Sequence, residues 1–347
     1  MLQMVQIILI IAIVLLCLFF LYFMSVLLAV FLVHRKLFLV RGSDPSNPCY
    51  LRFEDYPELE RTPYRVGFYG KVIQGYFYKR RAGSSDRGLI ILSHGFFGTH
   101  IQYLADIYYL TGKGYEVLAY DQYGVGESEG QNQVSLSNGI YVLENVLRDV
   151  KKRNLANGRE IILYGHSWGA YCSLGALASS NLVSKVILRS GFLSPSKEIL
   201  YLLKGQSKKL YYFIRPLYRL VSHLIFGRKN DVSLEHPLPK KVRASLLVLH
   251  AMDDDMVPPL LSIALYFNKH PDNRVQVVMT EKGHHNSLIA EEGISNYQRL
   301  IREYQKILSQ KGEDQKQRIQ AFEASLERRN LYPYNREVTD TIDNFLD

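Results

Sequence analysis

Five residues, Gly165-His166-Ser167-Trp168-Gly169, set a single serine between two glycines. An apolar run, Ile161, Ile162 and Leu163, leads into them, and an Ala/Leu-rich segment follows. A G-x-S-x-G pattern between a strand and a helix is the context of a nucleophile elbow, in which a tight turn lifts a serine hydroxyl above the end of a sheet. The pattern alone is weak, because a chain of this length holds roughly 0.1 such matches by chance. A serine hydroxyl attacks a carbonyl only when a histidine accepts its proton and a carboxylate orients that histidine.

Both partners are present further along the chain, in the order that such turns require: serine, acid, histidine. "LLVLHAMDDDMVPP" is an apolar strand, an acidic loop and then Pro258 opening a helix. "VVMTEKGHHN" is a strand followed by two adjacent histidines, His284 and His285. Three consecutive aspartates, Asp253, Asp254 and Asp255, compete for the acid, and N-capping of the following helix is the plainer role for two of them. "YDQYGVGESEG" is glycine-rich after a strand, but the G-x-G-x-x-G spacing fails at Glu129 and no helix opens there, so no dinucleotide loop is expected.

These residues need a frame. Strand-like segments at 88–96, 115–122, 160–167, 185–192, 244–251 and 275–284 alternate with helical ones near 99–112, 135–154, 168–180, 258–269 and 287–309, after an initial hairpin at 64–80. That alternation predicts a mostly parallel sheet covered by helices on both faces. About fifty residues between Phe192 and Ser245 are too many for one crossover and predict an inserted helical cap, 193–243. Residues 1–33 carry no charged side chain and exceed the roughly 20 residues needed to cross a bilayer. A cleaved signal peptide would need a basic leader and a shorter apolar core, so a transmembrane anchor over 1–36 is expected. His34, Arg35, Lys36 and Arg41 follow it, which by the positive-inside rule puts the catalytic body in the cytoplasm. A juxtamembrane linker is expected over 37–62, the main domain over 63–310, and a charged, solvated helical tail over 311–347.

"LSHGFFG", "YDQYGVGESEG", "GHSWGA" and "HAMDDDMVPP…KGHHN" together resemble the α/β-hydrolase superfamily, and within it the lipase and esterase branch that includes monoacylglycerol lipases and serine aminopeptidases. The resemblance spans about residues 63–307. It implies an α/β-hydrolase fold, with Ser167 as nucleophile, Asp254 as the acid of an H-G-x-x-D-x-x-V-P pattern and His284 as the terminal G-H histidine. Ala251 stands where that pattern has glycine. His285 then has a surface or supporting role. The oxyanion hole falls to the backbone N–H groups of Phe96 and Trp168. His94 buttresses the loop, and Asp121 and Ser128 stabilise a turn without taking part in catalysis.

The net charge is +9, and residues 192–243 carry most of it: eleven Lys or Arg against Glu198, Asp231 and Glu235. Interleaved with Leu, Tyr and Phe, such a segment suits an anionic membrane surface or a solvated face; no nucleic-acid motif accompanies it. Cys17, Cys49 and Cys172 form neither a disulfide framework nor a zinc pattern, and no cofactor is expected. The expected activity is hydrolysis of carboxylic esters of lipid-like substrates, lysophospholipids or acylglycerols, at a membrane. The alternatives are a peptidase needing acidic cap residues to hold an amine, a thioesterase or acyltransferase using the same triad, and a non-catalytic tethered binding module.

Overall fold

The structure, a computed structural model, describes residues 2–38, 47–130, 135–234, 242–310, 312 and 314–347. Eight strands form one sheet: β1 Leu59–Phe68, β2 Lys71–Arg80, β3 Gly88–Ser93, β4 Tyr115–Tyr120, β5 Ile161–His166, β6 Val183–Arg189, β7 Ser245–Ala251 and β8 Val275–Thr280. Their order is β1-β2-β4-β3-β5-β6-β7-β8. The β1–β2 and β2–β4 pairs are antiparallel and all others parallel. The central strands are buried on both faces, which is why they read as unbroken apolar runs. In β3, Leu89 and Ile91 enter one core while Ile90 and Leu92 enter the other.

The helices are α1 Leu2–Phe38, α2 Leu104–Gly112, α3 Asn138–Lys152, α4 Trp168–Ala176, α5 Pro195–Gln206, α6 Lys208–Ile214, α7 Tyr218–Phe226, α8 Ile263–Lys269, α9 Glu291–Ser309, α10 Gln315–Ala324 and α11 Arg336–Leu346. α3, α4 and α8 supply one core; α2 and α11 supply the other. α5, α6 and α7 lie between β6 and β7 in the chain. Of the cap's charged residues, Glu235, Lys240 and Lys241 lie outside the described residues, as does 39–46 of the expected linker. The last four positions of that linker, 59–62, already belong to β1.

Two terminal elements differ from expectation. α1 is long and apolar enough to cross a membrane, and its most apolar window is not buried in the protein. Its last turns are different: Val26, Val30, His34 and Phe38, four residues apart, form one buried face. There Tyr22 O–H donates to the Phe213 carbonyl at 2.8 Å, and the His34 ring stacks on Phe226 at 4.3 Å. The solvated tail is corrected for its final helix. Val338, Ile342 and Leu346 of α11 are buried under the sheet, Lys113 pairs with Asp343 at 2.5 Å, and Lys185 donates to the Leu346 carbonyl at 2.7 Å. Charge hid that apolar stripe in the sequence.

Candidate active site

Ser167 ends β5 and caps α4 with φ 56° and ψ −117°, a conformation that L residues rarely adopt. Packing imposes it. A Cβ on Gly165 would come within 2.4 Å of the Gly169 carbonyl oxygen, and one on Gly169 within 1.9 Å of the Ser93 carbonyl oxygen. The Ser167 N–H is held by the Arg189 carbonyl at 2.8 Å. Trp168 opens α4, so its N–H belongs to the first-turn donors that no helical carbonyl can accept. The Trp168 side chain is buried, with Nε1–H donating to the Leu136 carbonyl at 2.6 Å and its ring 5.6 Å from that of Phe96.

The carboxylate of Asp254, in the loop after β7, accepts from the backbone N–H groups of Met256 at 3.0 Å and Val257 at 2.9 Å. It also accepts from the Nδ1–H of His285, at 2.9 and 3.0 Å from its two oxygens. Burial opposes ionisation of Asp254, but the hydrogen bond and charge of His285, with those backbone donors, outweigh it and lower its pKa. The sequence expectation is therefore corrected at one position: the imidazole paired with Asp254 belongs to His285, not His284. His284 turns instead to Asp253, its backbone N–H donating at 2.8 Å and its Nδ1 lying 3.3 Å away. Two successive residues with positive φ, Gly283 at 148° and His284 at 47°, rotate the loop so that the second histidine faces inward.

A cavity of about 360 Å³ lies over Ser167 and is lined by His285, Phe96, Leu37, Glu198, Ile199 and Leu202, among others. An elbow serine at the end of the fifth strand of a mostly parallel eight-stranded sheet, with an acid after the seventh strand and a histidine after the eighth, defines the architecture. The chain has the α/β-hydrolase fold. Residues 84–236 match the family model described as serine aminopeptidase, S33, which is less than half the chain. The uncharacterized protein YqkD of Bacillus subtilis is 25% identical over 275 residues, covering 75% of this chain and 86% of that protein. A proline iminopeptidase of Saccharolobus solfataricus is 32% identical over 123 residues, covering 34% of this chain and 38% of the iminopeptidase. Among solved structures, the Pyrococcus furiosus esterase Pf2001 superposes with a TM-score of 0.53 at 18% identity, over 76% of this chain and 94% of the esterase.

A hydrogen-bonded chain joins the three loops of the site. The Gly95 N–H donates to the Tyr103 hydroxyl at 2.8 Å, Tyr103 donates to His166 Nδ1 at 2.7 Å, and His166 Nε2–H donates to the His285 carbonyl at 2.8 Å. That pattern requires a neutral His166, and burial, with the nearby His285 and Arg189 charges, pushes its pKa well down. Arg189, fully buried at the end of β6, pairs with Asp106, bonds the Tyr164 hydroxyl, and reaches the side chain of Asn286, next to His285. His94 accepts from the Gln122 N–H at 3.0 Å and donates to the Gly95 carbonyl at 2.8 Å.

The sequence carries weak signals for some of these supports. An arginine in the apolar run "KVILR" marks Arg189. Nothing marks Tyr103, Asn286 or Glu198. Asp121 and Ser128 lie away from the cavity over Ser167: Asp121 is bound to His100 at 2.9 Å, and Ser128 donates to the Asp121 carbonyl at 2.6 Å.

Proposed function

We propose that this α/β hydrolase is a membrane-anchored serine hydrolase that cleaves carboxylic esters of lipid-like substrates through an acyl-enzyme. One observation carries the proposal: Ser167, on its strained elbow, shares a cavity with His285, whose Nδ1–H is held by Asp254. Ser167 Oγ attacks the carbonyl carbon while His285 Nε2 takes its proton. The N–H groups of Phe96 and Trp168 receive the developing oxyanion, where one such donor contributes about 10²–10³ in rate. His285 then returns the proton to the departing alkoxide, and water repeats the sequence to release the acid.

Lipid character is supported by the lining. Leu37, from the last turns of α1, joins Phe96, Ile199 and Leu202 around the cavity, so the apolar helix and the site are contiguous. The packing of Val26, Val30 and Phe38 into the body supports a retained anchor over a cleaved leader. Tyr212, Phe213, Leu220 and Leu224 are exposed on α6 and α7, against which α1 packs, and Lys208, Lys209, Arg215 and Arg219 lie among them. Such a mixed apolar and basic surface favours docking on anionic lipid. The positive residues following the apolar stretch favour a cytoplasmic body.

The test is labelling by a fluorophosphonate probe together with hydrolysis of short and long acyl esters. Ser167→Ala and His285→Ala should each lose about 10⁴-fold or more in kcat, whereas His284→Ala should stay within about tenfold of wild type. Equal losses in the two histidine variants would return the base to an open question, and a folded wild type that takes no label would favour the binding-module alternative. One observation favours a peptidase as second reading: Glu198 places a carboxyl from the cap beside the Ser167 cavity, where a substrate amine could pair with it. Turnover of aminoacyl anilides faster than of acyl esters would favour that reading.

A further inference from the structure

Two cavities meet at His285. The first, over Ser167, has Leu37, Phe96, Phe97, Leu136, Ile199 and Leu202 in its walls, among others. The second, of about 460 Å³, extends to α9 and to Leu331 and Tyr332. Tyr50, Gln102, Tyr103, His166 and His285 border both, but Ser167 and Phe96 border only the first.

Ester chemistry assigns halves of the substrate to such a pair. The carbonyl oxygen must point to the oxyanion donors beside Ser167, and the leaving oxygen must lie against His285, because the same imidazole that took the serine proton returns it there. The acyl chain, continuing from the carbonyl, finds the apolar cavity on the Ser167 side. The alcohol, continuing from the leaving oxygen, finds the cavity on the other side of His285.

We propose that the second cavity receives the alcohol half of the ester, and that this alcohol is polar and carries no negative charge. The inference rests on the proposed ester-cleaving role of Ser167 and His285. Its wall supplies hydrogen-bonding groups from Gln102, His284, Asn286, Tyr297 and Gln298. The charged residues there are Asp106 and Asp255, with no Lys or Arg among the described lining residues. Asp106 is neutralised by Arg189, while Asp255 forms no salt bridge among the described residues. A phosphate held in that space would lose hydration and face a carboxylate without a compensating cation. A glycerol or another uncharged polyol would exchange water for the side-chain donors and acceptors at little cost. α9 and the Leu331–Tyr332 wall fall outside residues 84–236, so this half of the site is built by parts of the chain beyond the matched family region.

The experiment compares three esters of one acyl chain, with methanol, glycerol and glycerol 3-phosphate as leaving groups, on the full chain in detergent micelles. Wild type is expected to favour the glyceryl over the glycerophosphate ester in kcat/KM by about tenfold or more. Gln298→Trp, at the exposed rim on α9, should lower the glyceryl-to-methyl ratio by about tenfold by filling the cavity. Asp255→Lys should raise the glycerophosphate-to-glyceryl ratio by a similar factor. A wild type that prefers the anionic ester, or a Gln298→Trp ratio equal to that of wild type, overturns the inference. Should the methyl ester go unhydrolysed and the fluorophosphonate fail to label Ser167, the ester-cleaving role itself falls and this inference falls with it; labelling and methyl ester turnover with unmoved ratios remove the inference alone.

Discussion

Glu198 is the residue in the site whose environment is least compensated. It is buried on α5, its Oε2 has no hydrogen-bond partner, and desolvation, reinforced by the charge of Asp254, pushes its pKa from 4.5 up to about 8. The groups around the same cavity are His285, His166 and Tyr103 from the body, with Asp254 behind His285. Because the folded state holds the proton that the unfolded chain releases near 4.5, stability is greatest below that pH and declines as pH rises to about 8. Glu198→Gln removes the decline. Its Tm should exceed that of wild type at pH 9 and fall to or slightly below it at pH 5, where the amide leaves an unsatisfied donor costing about 1–3 kcal/mol. Thermal melts at both values check this; a Tm difference independent of pH would exclude a protonated Glu198. Residue-level legibility in the sequence was uneven for a physical reason. Ser167 and the aspartate loop are announced by glycine and strand patterns, but the choice between His284 and His285 depends on the positive φ at Gly283 and His284. No local pattern in "KGHHN" encodes that rotation.

Elements were legible where hydrophobic periodicity dominated. The central strands and α4 read as continuous small or apolar runs because they are buried on every side, whereas α3 and α9 keep an apolar spacing because each packs on one face. α11 was hidden because Arg336, Glu337, Asp340 and Asp343, with Asp347 just beyond, surround a stripe of Val338, Ile342 and Leu346 at intervals of four with Phe345 beside it, and so polar a helix reads as solvated. The buried stripe has a measurable consequence. Ile342→Ala, at a fully buried position, should cost about 2–5 kcal/mol in urea unfolding, whereas Leu308→Ala, at an exposed position on α9, should stay within about 0.5 kcal/mol. Equal effects would mean that α11 is not docked in solution. The docking also bears on the site, since Tyr109 joins α2 to Asp343 of α11 at 2.6 Å, and α2 carries Asp106, the partner of Arg189. A loosened α11 would therefore reach the Asn286 loop through a continuous polar and packed path.

At the scale of the whole molecule, the question is how one helix of 37 residues divides its work. At 1.5 Å per residue it is about 55 Å long, well beyond a hydrocarbon core of about 30 Å. Only its later part, from about Tyr22, touches the body, through α6 and α7. The Tyr22–Phe213 ring pair and the exposed Tyr212 stand at that division, and tyrosine is enriched where membrane meets water. Two truncations separate the roles. Removing residues 2–21 should release the protein from neutral vesicles while leaving Ser167-dependent hydrolysis of a short soluble ester within about twofold of wild type, because the packed face remains. Removing residues 2–33 strips Val26 and Val30 from the core and should cost about 2–5 kcal/mol for each large buried side chain lost, so that protein should melt lower or fail to accumulate. The shorter truncation also exposes what the cap does alone. If the basic cap docks on lipid, that protein should sediment with vesicles rich in anionic lipid at 50 mM salt and detach at 500 mM, because a Debye length shrinking from about 14 to about 4 Å removes the attraction of Lys208, Lys209, Arg215 and Arg219. Sedimentation that ignores salt would assign binding to the exposed apolar side chains of α6 and α7, and no sedimentation at either salt would leave α1 as the sole attachment.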